Sequence, residues 1–307
     1  MGGTGGRGYF SSDPKRVERE LEASRESTED QEYQAACNQA LQSLLTDFNN
    51  RNADAIGRRL EQIKSALSED IEGTIDLRFG GSVAKHTFVD GLSDVDSLVL
   101  LNKSDLVDLS PAEVKRYFAE QLESHFRDAH VSEGDLAVTV RFDDVEIQLL
   151  PALKSSQGYR IPSTTGPGWA DVRPRDFTGA LTDVNAANGG KVVPVIKLAK
   201  AILWNLPERQ HLKGYHTEAL AVEAFRNYKG RQALKDMLHH FFTEASSRVR
   251  TPFRDPTGQS EHVDDYLGGT GSLERRLVGD ALDRIARRIR NADSAQSVQQ
   301  ITALFEA

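Results

Sequence analysis

The chain has 307 residues, with 38 lysines and arginines against 46 aspartates and glutamates, so its formal net charge is −8. This acidic balance argues against the overall basic field by which many nucleic-acid-binding proteins attract their ligand. The single cysteine, Cys37, excludes an internal disulfide and any zinc site made of several cysteines.

No stretch of the sequence approaches the run of about 18 apolar residues that a membrane-spanning helix requires. The length suits two domains of ordinary size. We therefore expect a soluble, cytoplasmic protein that makes no contact with membranes and holds no zinc.

The first part of the chain is predicted to be an arm followed by helices and a strand. Residues 1–13 are rich in glycine, which favours a flexible arm. Apolar residues recur at helical spacing over residues 14–70, with interruptions expected near Ser27 and Asn52. Apolar and polar side chains then alternate over 75–79, which predicts a strand.

A glycine turn and a pair of aspartates follow this strand. The turn is Gly80-Gly81-Ser82, and Asp94 and Asp96 precede a second apolar run. Side chains two residues apart on a strand point to the same face, which would place the two carboxylates about 6.5 Å apart along the chain. Hard oxygen ligands in that arrangement suit Mg²⁺ or Mn²⁺, and two such ions stabilise the attacking and leaving oxygens of phosphoryl transfer. The glycines and the Ser82 hydroxyl, at an expected helix start, suit a phosphate.

The middle of the chain is predicted to contain a helix, a hairpin and a long loop. The helix covers 111–128, and the hairpin covers 136–150 and is ended by Pro151. Glycine, proline, serine and threonine dominate 155–176, which predicts a long functional loop. We interpret Trp169 in this loop as a packing anchor, with base stacking as the alternative.

The rest of the chain is predicted to be helical. An amphipathic helix over 192–205 carries Lys197 and Lys200 one turn apart, so that both can project toward a cleft. Further helical patterns cover 219–228, 231–249, 272–290 and 297–305.

One motif of the chain resembles the signature of the polymerase-β-type nucleotidyltransferases. It consists of Gly81-Ser82, eleven intervening residues and then Asp94-Val95-Asp96. Within that superfamily the chain is most similar to the bacterial cGAS/DncV-like (CD-NTase) enzymes and the oligoadenylate-synthase-like enzymes. The resemblance implies an α+β fold, in which a polymerase-β-type palm of mixed sheet and helices faces a C-terminal helical lobe. We expect the arm at 1–13, the palm with its N-terminal helices at 14–175 and the helical lobe at 176–307.

In the resembling enzymes the second strand of the hairpin supplies a third carboxylate, three residues before a Pro-Ala pair. Here the count back from Pro151-Ala152 reaches Gln148, a neutral amide, and Glu146 lies two residues earlier on the same face. In one hypothesis Glu146 binds the catalytic metal and helps to deprotonate the attacking hydroxyl, with Gln148 beside it as an orienting amide. In the other, the site binds metal and nucleotide but turns over poorly, because a neutral ligand holds the catalytic ion less well.

The resemblance also assigns nucleotide-binding roles in the second lobe. In the resembling enzymes, a helix with lysines one turn apart and a Ser-Tyr pair that opens the next helix contact the donor triphosphate and its base. Lys197 and Lys200 would contact the phosphates, and Tyr215 would stack on the base. Gly214 stands where serine is commoner, which removes one hydroxyl contact.

The activity implied by the resemblance is template-independent nucleotidyl transfer from a nucleoside triphosphate to a hydroxyl, with Mg²⁺ or Mn²⁺ and release of pyrophosphate. The product would be a cyclic or linear oligonucleotide signal, made from NTPs or dNTPs in bacterial antiphage defence and read by a separate effector protein. One alternative is a terminal transferase that builds a linear DNA or RNA oligomer, primed on the Tyr9 hydroxyl. Another is a nucleotide-sensing module that has lost catalysis through Gln148.

Overall fold

The computed structural model describes residues 14–48, 53–69, 71–79, 81–87, 95–143, 145–156, 158–163, 166–257 and 263–306. The predicted arm with Tyr9 therefore lies outside the described residues, as do Gly80 and Asp94. Within the described residues, a mixed sheet with flanking helices is followed by a helical second half. The predicted α+β class, with a palm and a C-terminal helical lobe, is confirmed.

The described helices, in chain order, are α1 (Pro14–Phe48), α2 (Ala53–Leu67), α3 (Gly81–Ala84), α4 (Pro111–His125), α5 (Pro174–Ala187), α6 (Val192–Trp204), α7 (Gly214–Phe225), α8 (Leu234–Arg248), α9 (Leu273–Ser294) and α10 (Val298–Thr302). The described strands are β1 (Gly73–Phe79), β2 (Val95–Ser104), β3 (His130–Glu133), β4 (Val138–Arg141), β5 (Glu146–Lys154), β6 (Tyr159–Pro162) and β7 (Trp169–Val172).

The sheet places β2 and β5 side by side in its centre. Its order is β1-β2-β5-β4-β3, with β6 paired to the end of β5 and β7 paired to β6. The β2–β5 pair is parallel, with Asp96 opposite Gln148, and the other described pairs are antiparallel. Alternation along β5 buries Ile147 and Leu149 completely and leaves Glu146 and Gln148 partly exposed on the other face.

The buried apolar side chains form two clusters. One surrounds the sheet and includes Ile63 and Leu67 of α2. The other fills the helical half and includes Tyr33, Cys37 and Leu41 of α1, so the first helix packs with the last part of the chain. The domain boundary expected at 175/176 stays a prediction. Among the described helices, none is long and apolar enough to span a bilayer.

The interruption expected near Ser27 was wrong. Helix α1 runs unbroken from Pro14 to Phe48. No glycine or proline occurs over 15–48, so the polar residues around Ser27 lower helix propensity only slightly and the backbone hydrogen bonds continue.

Two further expectations, for the end of the hairpin and for the loop that follows, were also wrong. Strand β5 continues through Pro151 to Lys154, because β4 pairs only with residues 146–149 and leaves one edge of β5 without a neighbour at the proline. Residues 155–176, expected to be a long loop, instead contain the antiparallel pair β6–β7 and the start of α5.

A buried arginine on α9 forms an ion pair and hydrogen bonds with the segment that follows α8. Arg275 has a side chain 1% exposed, and its Nη1 lies 2.6 Å from Oδ2 of the fully buried Asp264. The same guanidinium donates to the backbone carbonyls of Val249, Thr251 and Gly268. All its partners are therefore inside the helical lobe, where an unpaired charge is costly.

We expect Arg275→Met to destabilise the protein by about 3–5 kcal/mol, because the substitution leaves the Asp264 carboxylate buried without its cation. Arg276→Met changes the neighbouring, exposed residue and should cost less than about 1 kcal/mol. Urea unfolding followed by circular dichroism measures both. Equal losses in the two variants would contradict the role given to the buried pair.

Candidate active site

After β1 the chain turns back against the start of β2 at a glycine. Gly81 has a φ of +43°, in the left-handed region that favours glycine. A Cβ at this position would lie 1.6 Å from Oδ2 of Asp96. The backbone N–H of the buried Ser82 donates to the same carboxylate oxygen at 3.2 Å. The serine loop and Asp96 are thus in direct contact, and only glycine permits that approach.

Asp96 lies in a partly desolvated environment. Burial raises the pKa of its carboxyl, while the Ser82 N–H and the Lys85 ammonium oppose that rise. Gln148 lies opposite Asp96 in the parallel register, so a carboxylate and an amide are side by side. These oxygen donors, with the Ser82 hydroxyl nearby, are the ligand type that Mg²⁺ and Mn²⁺ prefer, and a cation would offset the desolvation of the carboxylate. Asp96 and Gln148 could therefore supply two oxygen ligands, but among the described residues no group of three or more His, Cys, Asp or Glu side chains is placed to hold a metal ion.

A buried carboxylate on α7 joins the palm to the helical lobe. Glu218 is 1% exposed, and its carboxylate contacts the Nζ of Lys85, which follows α3, and that of Lys200 on α6, the latter at 2.9 Å. The Thr87 hydroxyl donates to the same carboxylate, and Lys200 donates to the Thr87 carbonyl at 3.1 Å. Residues of both lobes thus meet at one charged cluster.

The cluster of Lys85, Lys200 and Glu218 keeps a net positive charge at neutral pH. Burial alone raises the pKa of Glu218, but the ammonium groups of Lys200 and Lys85 outweigh burial and hold that pKa below its usual 4.5. Glu218 is therefore ionised and offsets one of the two lysine charges, and both ammonium groups also act on the Asp96 carboxyl, where they oppose the rise in its pKa caused by burial. A positive charge in a sheltered site attracts phosphate groups.

Tyr215 is held in place at the start of α7. Its hydroxyl donates to Oδ2 of Asp255 at 2.6 Å, and its ring lies tilted against Phe177 with centroids 4.6 Å apart. The Nζ of Lys85 lies 5.1 Å from the centroid of the same ring. Burial raises the pKa of the Tyr215 hydroxyl, which stays neutral.

These groups surround a cavity of about 620 Å³. The palm contributes Gly81, Ser82, Lys85, Asp96 and Gln148, and the helical lobe contributes Lys200, Leu203, Trp204, residues 211–215 and Glu218. The palm thus contributes the glycine turn, Asp96 and one lysine, and the helical lobe contributes Glu218, two lysines and the aromatic rings.

The cavity rim carries a pair of stacked rings. Trp204, the last residue of α6, is 54% exposed. Its ring stacks on that of His211, with centroids 5.9 Å apart and an angle of 24° between planes. The Nε2 of His211 lies 2.6 Å from the Leu206 carbonyl oxygen, so this nitrogen carries a hydrogen and donates it.

The cavity brings together several residues singled out from the sequence, namely Gly81, Ser82, Gln148, Asp96, Lys200 and Tyr215. Lys197 lies on α6 but is not one of the residues that line the cavity. Glu146 does not line it either, and its Oε2 lies 2.5 Å from the Nε of Arg141 on β4. Asp94 lies outside the described residues. The metal-binding roles of Asp94, Asp96 and Glu146 stay predictions.

Sequence analysis missed four residues of this site, namely Lys85, Trp204, His211 and Glu218. Glu218 is 133 residues from Lys85 in the chain, and no local pattern connects them. Trp204 continues the apolar pattern of α6, and that pattern predicts a buried side chain at its position. The lysine three residues after Ser82 was the one available signal, because phosphate loops favour a nearby cation.

Residues 36–185 match the family model of the Second Messenger Oligonucleotide or Dinucleotide Synthetase (SMODS) domain. The chain is a nucleotidyltransferase. The relationship to cGAS/DncV-like nucleotidyltransferases predicted from the sequence is confirmed. No curated protein matches the chain.

Three solved structures share the fold of this nucleotidyltransferase. CdnC of E. coli MS115-1, in a CdnC:HORMA-deltaN complex, gives a TM-score of 0.61 at 17% identity, covering 83% of this chain and 90% of that one. The Vibrio cholerae DncV cyclic AMP-GMP synthase was solved in complex with the linear intermediate 5' pppA(3',5')pG. It gives a TM-score of 0.60 at 12% identity, and the match covers 94% of this chain and 88% of that one. The STING-associated CdnE c-di-GMP synthase from Capnocytophaga granulosa gives a TM-score of 0.59 at 15% identity, and the match covers 88% of this chain and 98% of that one.

We expect Glu218→Gln to destabilise this nucleotidyltransferase by about 3–5 kcal/mol, because two nearly buried lysines lose their shared counter-ion. The matched control is Glu223→Gln on the same helix, which breaks surface pairs with Arg226 and Arg248 and should cost less than about 1 kcal/mol. Urea unfolding at pH 7 measures both losses.

The loss caused by Glu218→Gln should also depend on pH. A carboxyl whose pKa is lowered by folding stabilises the native state above its unfolded pKa, and that contribution disappears as the pH falls through the folded value. The difference between the wild type and Glu218→Gln should therefore be constant down to about pH 4.5 and shrink below it. A difference that grew on acidification would contradict the ionised state assigned to Glu218.

Proposed function

We propose that this nucleotidyltransferase joins nucleoside triphosphates into a cyclic or linear oligonucleotide that serves as a signal. The proposal rests on the cavity, where the Ser82 turn contacts Asp96 and which Lys85 of the palm and Lys200 of the helical lobe also line. The domain match and the cyclic dinucleotide synthases among the structural relatives support the same class of reaction.

Different cavity residues would bind different parts of the nucleotide. The Ser82 hydroxyl and the ammonium groups of Lys85 and Lys200 would bind the triphosphate, and Tyr215 would contact a base. Asp96 and Gln148, with Asp94, would hold Mg²⁺ or Mn²⁺, which when bound supplies positive charge against the charge that develops on the phosphoryl oxygens.

The reaction would form one phosphodiester bond for each nucleotide added. A hydroxyl of one nucleotide attacks the α-phosphorus of another, the bond to the β-phosphate bridging oxygen breaks, and pyrophosphate leaves. The proton of the attacking hydroxyl needs an acceptor, and Glu146 is the candidate on this chain. Its ion pair with Arg141 would have to open or shift for that role.

The proposal extends to a role in bacterial antiphage defence, in the cytoplasm, with a separate effector protein that reads the product. The E. coli relative was solved with a HORMA partner, which supports the expectation that proteins of this fold act together with others. A terminal transferase primed on Tyr9 stays an alternative from the sequence, since Tyr9 lies outside the described residues.

A second candidate function, nucleotide sensing with little turnover, is favoured by one observation. The residue opposite Asp96 in the register is the neutral Gln148, and the nearest carboxylate on β5, Glu146, does not line the cavity. Such a protein would bind metal and nucleotide and release little pyrophosphate.

We expect the purified protein, incubated with Mg²⁺ or Mn²⁺ and each NTP or dNTP, to release pyrophosphate and give oligonucleotides that mass spectrometry identifies. Asp96→Asn should reduce the rate about a hundredfold or more, because it removes a charge from the site of phosphoryl transfer. The control Asp76→Asn changes an exposed aspartate on β1 and should leave the rate unchanged. Nucleotide binding without any product would contradict the synthetase and favour the sensor.

The roles of Glu146 and Gln148 can be separated by reciprocal substitutions. If Glu146 serves the reaction, Glu146→Gln should lower nucleotide incorporation about a hundredfold and Gln148→Glu should not raise it. Because Glu146→Gln also breaks the pair with Arg141, the control is Arg141→Gln, which breaks the same pair and keeps the carboxylate. An unimpaired Glu146→Gln enzyme, or a large gain in Gln148→Glu, would favour the weak-turnover hypothesis. Single-turnover assays with labelled nucleotide measure each variant.

A further inference from the structure

We propose that Trp204, backed by His211, is a stacking platform for a nucleobase at the rim of the active-site cavity, separate from Tyr215. The inference rests on the proposed function, because it requires a nucleotide in the cavity. It names a second base-binding position and the chemical class of its ligand.

The exposure of Trp204 is the first observation. The three residues before it on α6, Ala201, Ile202 and Leu203, are at most 5% exposed, whereas Trp204 is 54% exposed. Among large hydrophobic side chains of the described residues, Leu273 has the same exposure, but it does not line the cavity. Leaving an indole in water forgoes a large hydrophobic gain, which a flat apolar ligand would recover.

The indole stacks on a second ring whose orientation is set by a hydrogen bond. The His211 ring lies nearly parallel to it, and the hydrogen bond from His211 Nε2 to the Leu206 carbonyl sets the orientation of the imidazole. An aromatic ring that is already held in place loses little conformational entropy on binding. This arrangement suits stacking, which requires a rigid face rather than a mobile side chain.

Trp204 is also close to the charge that would bind phosphates. It lies four residues after Lys200 on α6, and side chains at this spacing are neighbours on one helix face, about 5–6 Å apart at Cβ. Both line the same cavity. A nucleotide can therefore place its phosphates toward Lys200 and its base on Trp204, whereas a purely apolar ligand would leave the lysine unused.

Tyr215 has less exposed ring surface than Trp204, although both line the cavity. Its ring already packs against Phe177, and the Lys85 ammonium lies 5.1 Å from its centroid. Joining two nucleotides also requires that two bases be held at once. Trp204 supplies an exposed ring for one of them, and a purine should stack better than a pyrimidine because of its larger area.

The two tryptophans of the chain allow a direct optical test. In the Trp169→Phe variant, Trp204 is the remaining tryptophan, and we expect its fluorescence to be quenched saturably by non-hydrolysable ATP or GTP analogues with Mg²⁺. Inorganic tripolyphosphate has no base and should not quench it, although it should compete with the nucleotide. Pyrimidine analogues should quench less strongly at equal concentration.

Equilibrium dialysis with labelled nucleotide supplies the second measurement. Trp204→Ala should weaken nucleotide binding about five- to a hundredfold, and Trp204→Phe should restore most of it. Leu273→Ala, which removes an equally exposed apolar side chain outside the cavity, should have no effect.

The outcomes separate this inference from the proposed function. If dialysis shows nucleotide binding while the emission of Trp204 is unchanged and Trp204→Ala binds normally, the platform is refuted and the synthetase proposal stands. If the unaltered protein binds no nucleotide at all, the proposed function fails and the platform fails with it. Quenching by tripolyphosphate equal to that by ATP would also overturn the platform, since it would report a movement of the ring rather than stacking.

Discussion

The ion pairs of Glu218 connect the two walls of the active-site cavity. Removing a carboxylate from water costs several kcal/mol unless cations and hydrogen-bond donors replace the lost solvent. Lys85 and Thr87 from the palm and Lys200 from the helical lobe provide that replacement. Because these partners come from both lobes, the cluster forms only when the lobes are in contact, and the positive charge offered to a phosphate is assembled by the tertiary fold.

The palm side of the cavity also depends on backbone geometry. Gly81 permits the turn to touch Asp96, and the parallel register of β2 and β5 sets Gln148 beside it. A shift of β5 by one residue in that register would turn Gln148 to the other face of the sheet. The apolar residues that alternate with Gln148 on β5, Ile147 and Leu149, are completely buried and oppose such a shift.

Sequence reasoning found the parts of the site that are encoded locally. Ser82 and Asp96 belong to one turn-and-strand motif, and Lys200 was assigned through the resemblance, because helical spacing alone favours Lys197 equally. Glu218 was missed because its partners are far away in the chain, and Pro151 was misread because its tolerance in β5 depends on which neighbouring strand has already ended. The α+β class was implied by the resemblance that the Gly81-Ser82 and Asp94-Val95-Asp96 motif carries, whereas these details depend on contacts between distant segments.

The hydrophobic clusters and the matched domain have different boundaries. Residues 36–185 include Cys37 and Leu41 of α1 and Phe177 of α5, which are buried in the same cluster as Phe241 and Phe242 of α8. A fragment cut at those limits would expose this apolar surface to water and promote aggregation. A segment exchanged between genes by recombination would therefore need to include α8 together with residues 36–185 to keep this cluster buried.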